Sequence, residues 1–156
     1  MGVLRPMTAD DVAAVVAGQG PAAVVGLADV FPQDTHPFPA DEVTARWRHE
    51  VVDPAVDCFV IEADHAVAGF AAVRGAEFLH FGVDLAHWGT GLAGRAHDEV
   101  LDLLRSRGVE VAWLRVFTGN ARGRRFYERR GWVPTGVRSR TSFPPHPELL
   151  GYTRAL

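Results

Sequence analysis

The sequence has little sulfur, no long apolar run and no strong excess of charge. Cys58 is the one cysteine in 156 residues, so an internal disulfide is excluded and a reducing, cytoplasmic location is expected. No apolar segment is long enough to span a bilayer, and the opening MGVLRPMTADD turns polar at once, unlike a signal peptide. A formal net charge of -3 provides no basic field, so neither a membrane nor a nucleic-acid partner is expected.

The composition is that of an ordinary globular domain. Hydrophobic residues make up 47% and charged residues 22% of the 156 residues, which predicts one domain over 1–156. Apolar spacing predicts helices near 8–18, 21–30, 41–51, 89–108 and 120–130, with Gly18 and Gly20 ending the first. It predicts strands near 58–61, 67–73, 77–83, 109–117, 131–133 and 149–153. This order indicates an α/β fold whose sheet has both antiparallel and parallel pairs.

The stretch HWGTGLAG at 87–94 contains Gly-x-Gly-x-x-Gly, the spacing of a dinucleotide-binding loop. Five residues separate Gly89 from Val83, where the preceding strand ends, and the next strand lacks a terminal acid for a ribose. Both features argue against a Rossmann domain. Two other roles remain for this stretch: a plain connection between a strand and a helix, or a site that binds an anion. Free amides of Gly91, Leu92 and Ala93 at a helix N-terminus favour a diphosphate site.

Two motifs, in this order, resemble the GNAT N-acetyltransferase superfamily, and the resemblance covers nearly the whole chain. Residues 88–93, WGTGLA, are similar to the family's pyrophosphate loop Gln/Arg-x-x-Gly-x-Gly/Ala, with Trp88 in place of Gln or Arg. Residues 120–132, NARGRRFYERRGW, are similar to its Asn-x-x-Ala-x-x-Phe-Tyr-Glu-x-x-Gly-Phe block. The resemblance implies a single GNAT-like domain with a mixed, mostly antiparallel sheet of six or seven strands, a central parallel pair and about four helices. Homodimers are common in the family.

The resemblance also implies acetyl-CoA as the acetyl donor and requires no metal. An N–H of Phe81 or Val83 would stabilise the oxyanion where the strand meets the thioester. The basic cluster after residue 120 is either a solvated helix face or a rim for CoA phosphates, with Arg125 and Arg95 as candidates. The predicted cofactor-binding residues are Phe81, Gly82, Val83, Trp88, Gly89, Thr90, Gly91, Leu92, Ala93, Gly94, Asn120 and Arg125.

Acetyl transfer also needs an acid for the thiolate and a base for the amine. Tyr127 is the candidate acid, because a phenol of pKa about 10 can donate to the thiolate of a thiol of pKa about 8.5; core packing is the alternative. Glu77 is the first candidate base and His80 the second, and strict alternation along the strand places them on opposite faces. Since Cys58 lies in another strand, the expected attack is direct, without an acyl-cysteine.

The aromatic loop FPQDTHPF at 31–38 is the candidate acceptor site. Phe31, His36 and Phe38 would contact the acceptor, and Asp34 would bind its ammonium group; packing of the loop on the core is the alternative. With the resemblance, these residues predict an acetyl-CoA-dependent N-acetyltransferase that acts on a primary amine of a small molecule or a peptide. The alternative is a GNAT-like regulatory module that binds acyl-CoA without turnover. The sequence does not identify the amine.

Overall fold

A seven-stranded mixed sheet forms the centre of the structure, a computed structural model that describes residues 2–156. The strands are β1 (Leu4–Pro6), β2 (Asp57–Ala63), β3 (Ala66–Arg74), β4 (Glu77–Val83), β5 (Val111–Phe117), β6 (Val133–Arg140) and β7 (Glu148–Ala155). Their order in the sheet is β1-β2-β3-β4-β5-β7-β6, and β4–β5 is the parallel pair in this described part of the chain. The predicted α/β fold class is confirmed.

Within residues 2–156, four α-helices cover the two faces of the sheet: α1 (Val12–Gly26), α2 (Ala40–Val51), α3 (Leu92–Ser106) and α4 (Ala121–Arg129). Helices α1 and α2 pack on one face through a cluster that includes the fully buried Val12 and Trp47. Helix α3 packs on the other face through Val100 and Leu104, and Tyr127 of α4 packs against the same cluster. The N-terminal third of the chain and its C-terminal half therefore cover opposite faces.

Helix α1 runs without a break through the segment where the sequence predicts two helical pieces. Gly18 and Gly20 do not end it, so that prediction is wrong. Both glycines are sites of close approach: a Cβ at Gly18 would overlap the Asp84 carboxylate, and one at Gly20 would lie 3.2 Å from the Phe38 ring. Tertiary packing therefore outweighs the low helix propensity of glycine here.

Strands β4 and β5 pair where they begin and then separate. Their register pair is Glu77 with Trp113, and the Trp113 N–H donates to the Ala76 carbonyl oxygen at 3.1 Å. Strand β5 pairs with β7 along its whole length. A wedge therefore opens between the carboxyl ends of β4 and β5, where the edge of β4 has no strand partner in the described chain.

A bulge in β4 changes which side chains share a face. Two consecutive residues of β3 pair with His80 and Phe78, so Leu79 is the extra residue. Phe78 and Phe81 consequently lie together, with ring centroids 5.1 Å apart, whereas His80 lies 5.2 Å from the Trp47 ring of α2. The strict alternation predicted for 77–83 is wrong, because the bulge inserts one residue into the two-residue period.

Candidate active site

The wedge forms a cleft of about 450 Å³. The end of β4 forms one wall, residues 115–117 of β5 form the other, and the loops before α3 and α4 lie at its rim. The predicted donor-binding and catalytic residues in its lining are His80, Phe81, Gly82, Val83, Trp88, Gly89, Gly91, Ala93, Asn120 and Tyr127. Those outside the lining are Glu77, Thr90, Leu92, Gly94 and Arg125.

The open edge of β4 presents backbone N–H groups to the cleft. Asp84 donates its N–H to the Ala68 carbonyl oxygen of β3 at 2.8 Å. Because successive N–H groups alternate in direction along a strand, those of Phe81 and Val83 face away from β3 and into the wedge. These are the two groups that the sequence predicts for the oxyanion.

The glycine loop adds further donors at the start of α3. Gly91 has a φ of +86°, where a side chain would be strained, and it directly precedes Leu92, the first residue of the helix. The N–H groups of Gly91, Ala93 and Gly94 have no hydrogen-bond partner among residues 2–156, whereas that of Leu92 has the Thr90 hydroxyl at 3.4 Å. Free amides at the positive end of a helix dipole suit a phosphate.

Trp88 contacts β4 rather than extending a polar group into the loop. Its indole N–H donates to the Val83 carbonyl oxygen at 2.9 Å, and the Arg122 guanidinium carbon lies 3.8 Å from its ring centroid. Arg122 therefore lies in the lining of the cleft, held over an aromatic face. The predicted rim residues Arg125 and Arg95 are exposed and outside the lining, and the arginine that Trp88 contacts is Arg122, in the first turn of α4.

Tyr127 lies in the lining of the cleft on α4. Asn120 fixes the start of this helix, because its Oδ1 accepts a hydrogen bond from the Gly123 N–H at 2.9 Å. The Tyr127 ring packs edge to face against Phe126 at 5.3 Å and Trp132 at 6.1 Å. Burial raises the pKa of Tyr127 well above its ordinary value, since it disfavours the phenolate. The phenol therefore holds its proton at neutral pH, as a general acid must.

The structure does not bring Glu77 into the cleft. Glu77 is 2% exposed, and its carboxylate pairs with Arg74 at 2.8 Å and with Arg115 at 3.5 Å. Two guanidinium groups therefore pair with its charge at the β4–β5 junction. A carboxylate paired in this way outside the lining has no access to an acceptor.

His80 instead pairs with Glu50, a residue that the sequence prediction missed. The His80 Nε2 lies 2.8 Å from Oε2 and 3.1 Å from Oε1 of Glu50, which is 9% exposed. Burial lowers the pKa of His80, although Glu50 opposes this. Burial alone would raise the pKa of Glu50, but the hydrogen bond with His80 and the charge of Arg46 lower it. A neutral imidazole whose Nε2–H donates to an ionised carboxylate keeps its Nδ1 lone pair available.

A signal for Glu50 exists in the sequence of α2. Val43, Trp47 and Glu50 stand at i, i+4 and i+7, and all three are buried. A carboxylate at the end of an apolar stripe indicates a buried partner, since an unpaired buried charge is costly. The partner itself is 30 residues away, on a different element, so the local pattern could not identify it.

The aromatic loop forms part of a second cavity of about 560 Å³ next to the cleft. Phe31, His36 and Phe38 line it, together with the segment 141–144. Gln33 fixes the loop, because its Nε2 donates to the Phe31 carbonyl oxygen at 2.9 Å and its Oε1 accepts from the Phe38 N–H at 3.0 Å. Asp34 is exposed and outside both linings, so the structure gives no support to its predicted contact with the acceptor.

The two cavities adjoin, because Gln19, Arg46 and Phe117 line both. Cys58 lines neither; it is 8% exposed, and burial raises its pKa to about 12. Across residues 2–156, no helix combines the length and apolar character that a membrane crossing requires. The same residues hold no cluster of three or more His, Cys, Asp or Glu side chains suited to a metal ion.

A split sheet with an open β4 edge, a helix N-terminus and a half-buried tyrosine is typical of an acyl-transferase cleft. The model of the Acetyltransferase (GNAT) family matches residues 24–132, well over half of the chain. The chain belongs to this family.

Individual relatives agree with this assignment. A mycothiol acetyltransferase from Beutenbergia cavernae is 40% identical over 68 residues, which are 44% of this chain and 23% of that protein, so the match spans less than a quarter of the relative. The PaiA N-acetyltransferase of Thermoplasma acidophilum, solved with coenzyme A, superposes with a TM-score of 0.80 at 12% identity and covers 98% of both chains. A ribosomal-protein-alanine N-acetyltransferase from Brucella melitensis gives 0.72 at 18% identity, over 98% of this chain and 99% of that one. These two likenesses show the fold.

Proposed function

We propose that this chain transfers the acetyl group of acetyl-CoA to a primary amine by direct attack while both substrates are bound. The observation that carries the proposal is the placement of Tyr127 and His80 in one cleft, which adjoins a second cavity lined by the aromatic loop. One residue can donate a proton and the other can accept one, and each lies on a different wall. The cavity beside His80 would hold the acceptor.

The donor side fits acetyl-CoA. The free N–H groups of Gly91, Ala93 and Gly94 suit the oxygens of a diphosphate, and the unpaired β4 edge suits the amides of a pantetheine arm. The relative from Thermoplasma acidophilum, which shares this fold, was solved with coenzyme A. When bound, acetyl-CoA supplies an activated carbonyl and a thiolate leaving group.

The chain's own groups would then divide the proton transfers. His80 accepts the proton of the ammonium group through Nδ1, and Glu50 fixes the imidazole and stabilises its charged form. The N–H of Phe81 or Val83 donates to the carbonyl oxygen as it gains charge. Tyr127, whose pKa burial raises, gives its proton to the departing sulfur and regains one from the nitrogen of the new amide. The buried Cys58 takes no part.

Binding and turnover measured separately test this proposal. Calorimetry with acetyl-CoA should show binding, and thiol release should require an amine. Binding without thiol release on any amine of a broad panel would favour the regulatory module over the enzyme. An absence of acetyl-CoA binding would contradict both.

A further inference from the structure

Arg46 stands at the junction of the cleft and the acceptor cavity, and it lines both. Its guanidinium carbon lies 6.0 Å from the Trp47 ring and 5.6 Å from the Phe143 ring, so two aromatic residues restrict it. Its side chain is 32% exposed, although its Nε is buried. The group is therefore held in place at a wall of the acceptor space.

The hydrogen-bonding capacity of this guanidinium is unused. Nε lies 3.5 Å from Glu50 Oε1 and forms no hydrogen bond, and no other acceptor among residues 2–156 bonds to Arg46. A guanidinium carries five N–H donors, and a buried donor without a partner is costly. Nε is the buried donor and faces Glu50, whereas the two Nη groups are not buried and bond to no residue among 2–156, so they are available to the acceptor group of a ligand in the cavity.

The surroundings of Arg46 restrict the chemistry of that ligand. A single guanidinium matches one carboxylate in fork geometry, whereas a phosphate dianion would need a second cation. The remaining acceptor wall is mainly apolar and includes Phe31, Phe38 and Phe117; Glu42 and His36 are its other titratable groups. The ligand is therefore expected to combine one carboxylate with an apolar body.

The short distance between Arg46 and the proposed base His80 places the amine of the ligand close to the carboxylate of the ligand. Arg46 Nε faces Glu50 Oε1 at 3.5 Å, and His80 Nε2 faces Glu50 Oε2 at 2.8 Å. Because both groups contact the same carboxylate of the protein, they are neighbours in space. A small molecule that carries its amine and its carboxylate on the same or adjacent carbon atoms suits two groups placed this close together.

We propose that Arg46 binds the carboxylate of the acceptor, and that the acceptor is an α-amino acid with an apolar side chain. This inference rests on the proposed acetyl transfer, because His80 defines where the amine lies. It excludes the N-terminal amine of a peptide as the preferred acceptor, since the neighbouring carboxyl group is then an uncharged amide.

A matched pair of acceptors tests the inference. L-Phenylalanine should be acetylated with a kcat/KM about tenfold or more above that of 2-phenylethylamine, which lacks the carboxylate. In Arg46→Met this ratio should fall to about one, and in Arg46→Lys it should be intermediate, because lysine keeps the charge but loses the fork. Arg48→Met, on the exposed side of the same helix, makes the same charge change and should keep the ratio. An equal ratio in the wild type, or an unchanged ratio in Arg46→Met, would overturn the inference.

A binding measurement separates this inference from the proposed function. 3-Phenylpropanoate has the carboxylate and the ring but no amine. It should bind the wild type in calorimetry and bind Arg46→Met about tenfold more weakly, with the thermal midpoint of each variant as a check on folding. Binding that depends on Arg46, without thiol release from any amine, would reject the acetyl transfer and keep the carboxylate site. If thiol is released but neither the acceptor ratio nor the binding of 3-phenylpropanoate depends on Arg46, the carboxylate site is rejected and the acetyl transfer is kept.

Discussion

The donor side and the acceptor side of the cleft are built from different parts of the polypeptide. The donor side consists of backbone: the open edge of β4 and the free amides around Gly91. The acceptor side consists of side chains from α2, β4 and two loops, with Arg46, Glu50 and His80 at its centre. A backbone surface recognises a ligand whatever the side chains around it, whereas a side-chain surface changes its ligand with each substitution. The same fold can therefore keep one donor and vary the acceptor.

The largest expected effect is a loss of turnover on substitution of Tyr127. Tyr127→Phe should lower kcat about 100-fold or more, because it removes the proton donor for the leaving sulfur. Binding of acetyl-CoA, measured by calorimetry, should stay within about twofold, since the donor contacts are backbone groups.

Tyr152→Phe is the matched control for this substitution. Its hydroxyl accepts from Arg124 Nε at 3.1 Å and lies outside the cleft. This variant should lose thermal stability and keep kcat. Unchanged turnover in Tyr127→Phe would remove the phenol from the mechanism.

A smaller effect is expected from the backbone of the donor side. Gly91→Ala forces a side chain into a φ of +86°, and the strain of about 1–2 kcal/mol should weaken acetyl-CoA binding about 5- to 30-fold. Gly75→Ala, in the turn between β3 and β4, is strained in the same way at a φ of +60° and has equally open space around it. Its thermal midpoint should fall similarly while its affinity for acetyl-CoA stays. Equal affinities in the two variants would contradict the role of the glycine loop.

On the acceptor side, Glu50→Gln should lower kcat about two- to tenfold, because the amide holds the imidazole less firmly. It should also move the acid limb of the kcat/KM profile to lower pH. Neutral His80 is the proposed base, and the Glu50 charge raises its pKa; without that charge the imidazole loses its proton at a lower pH. Because burial already lowers the pKa of His80, the wild-type limb should lie below the ordinary 6.5.

Arg46→Met should move the same limb in the opposite direction, since the Arg46 charge lowers the pKa of His80. Asp41→Asn, an exposed change on the same helix, should leave the limb in place. Glu77 also faces His80 and raises its pKa, and it is unchanged in all three variants. A limb that moves the same way in Glu50→Gln and Arg46→Met would mean that another group titrates.

The smallest effect is expected at Asp34. This residue is exposed and lines neither cavity, so Asp34→Ala should change the KM of every accepted amine less than about twofold. A loss of about tenfold in KM would mean that the loop 31–39 rearranges when the acceptor binds.

The sequence predicted the donor side better than the acceptor side for a physical reason. The glycine loop and the helix that follows it form a local unit, so the motif around Gly89 and Gly91 carries its own geometry. Strand β4 was also predicted with its observed ends, Glu77 and Val83. Such elements depend on short-range spacing, which a single sequence displays.

The acceptor side depends on contacts between distant residues. Glu50 and His80 are 30 residues apart, and the bulge at Leu79 decides which face His80 occupies. Neither feature follows from the period of a strand or a helix. The same holds for Glu77, whose partner Arg115 comes from the next strand in the sheet. Its residue type and its position in the strand made Glu77 a candidate base. In the folded protein its carboxylate pairs with Arg74 and Arg115 instead.

We propose that backbone groups bind the donor and side chains bind the acceptor. An amide chemical-shift map of the protein during titration with coenzyme A tests this proposal most directly. The largest shifts should fall on Phe81, Val83, Gly91, Ala93 and Gly94, whose N–H groups face the cleft or lack partners. Helix α2 and the loop 31–39 should shift little until an amino acid is added. Shifts concentrated on α2 and that loop, with the glycine loop unmoved, would contradict a donor side made of backbone.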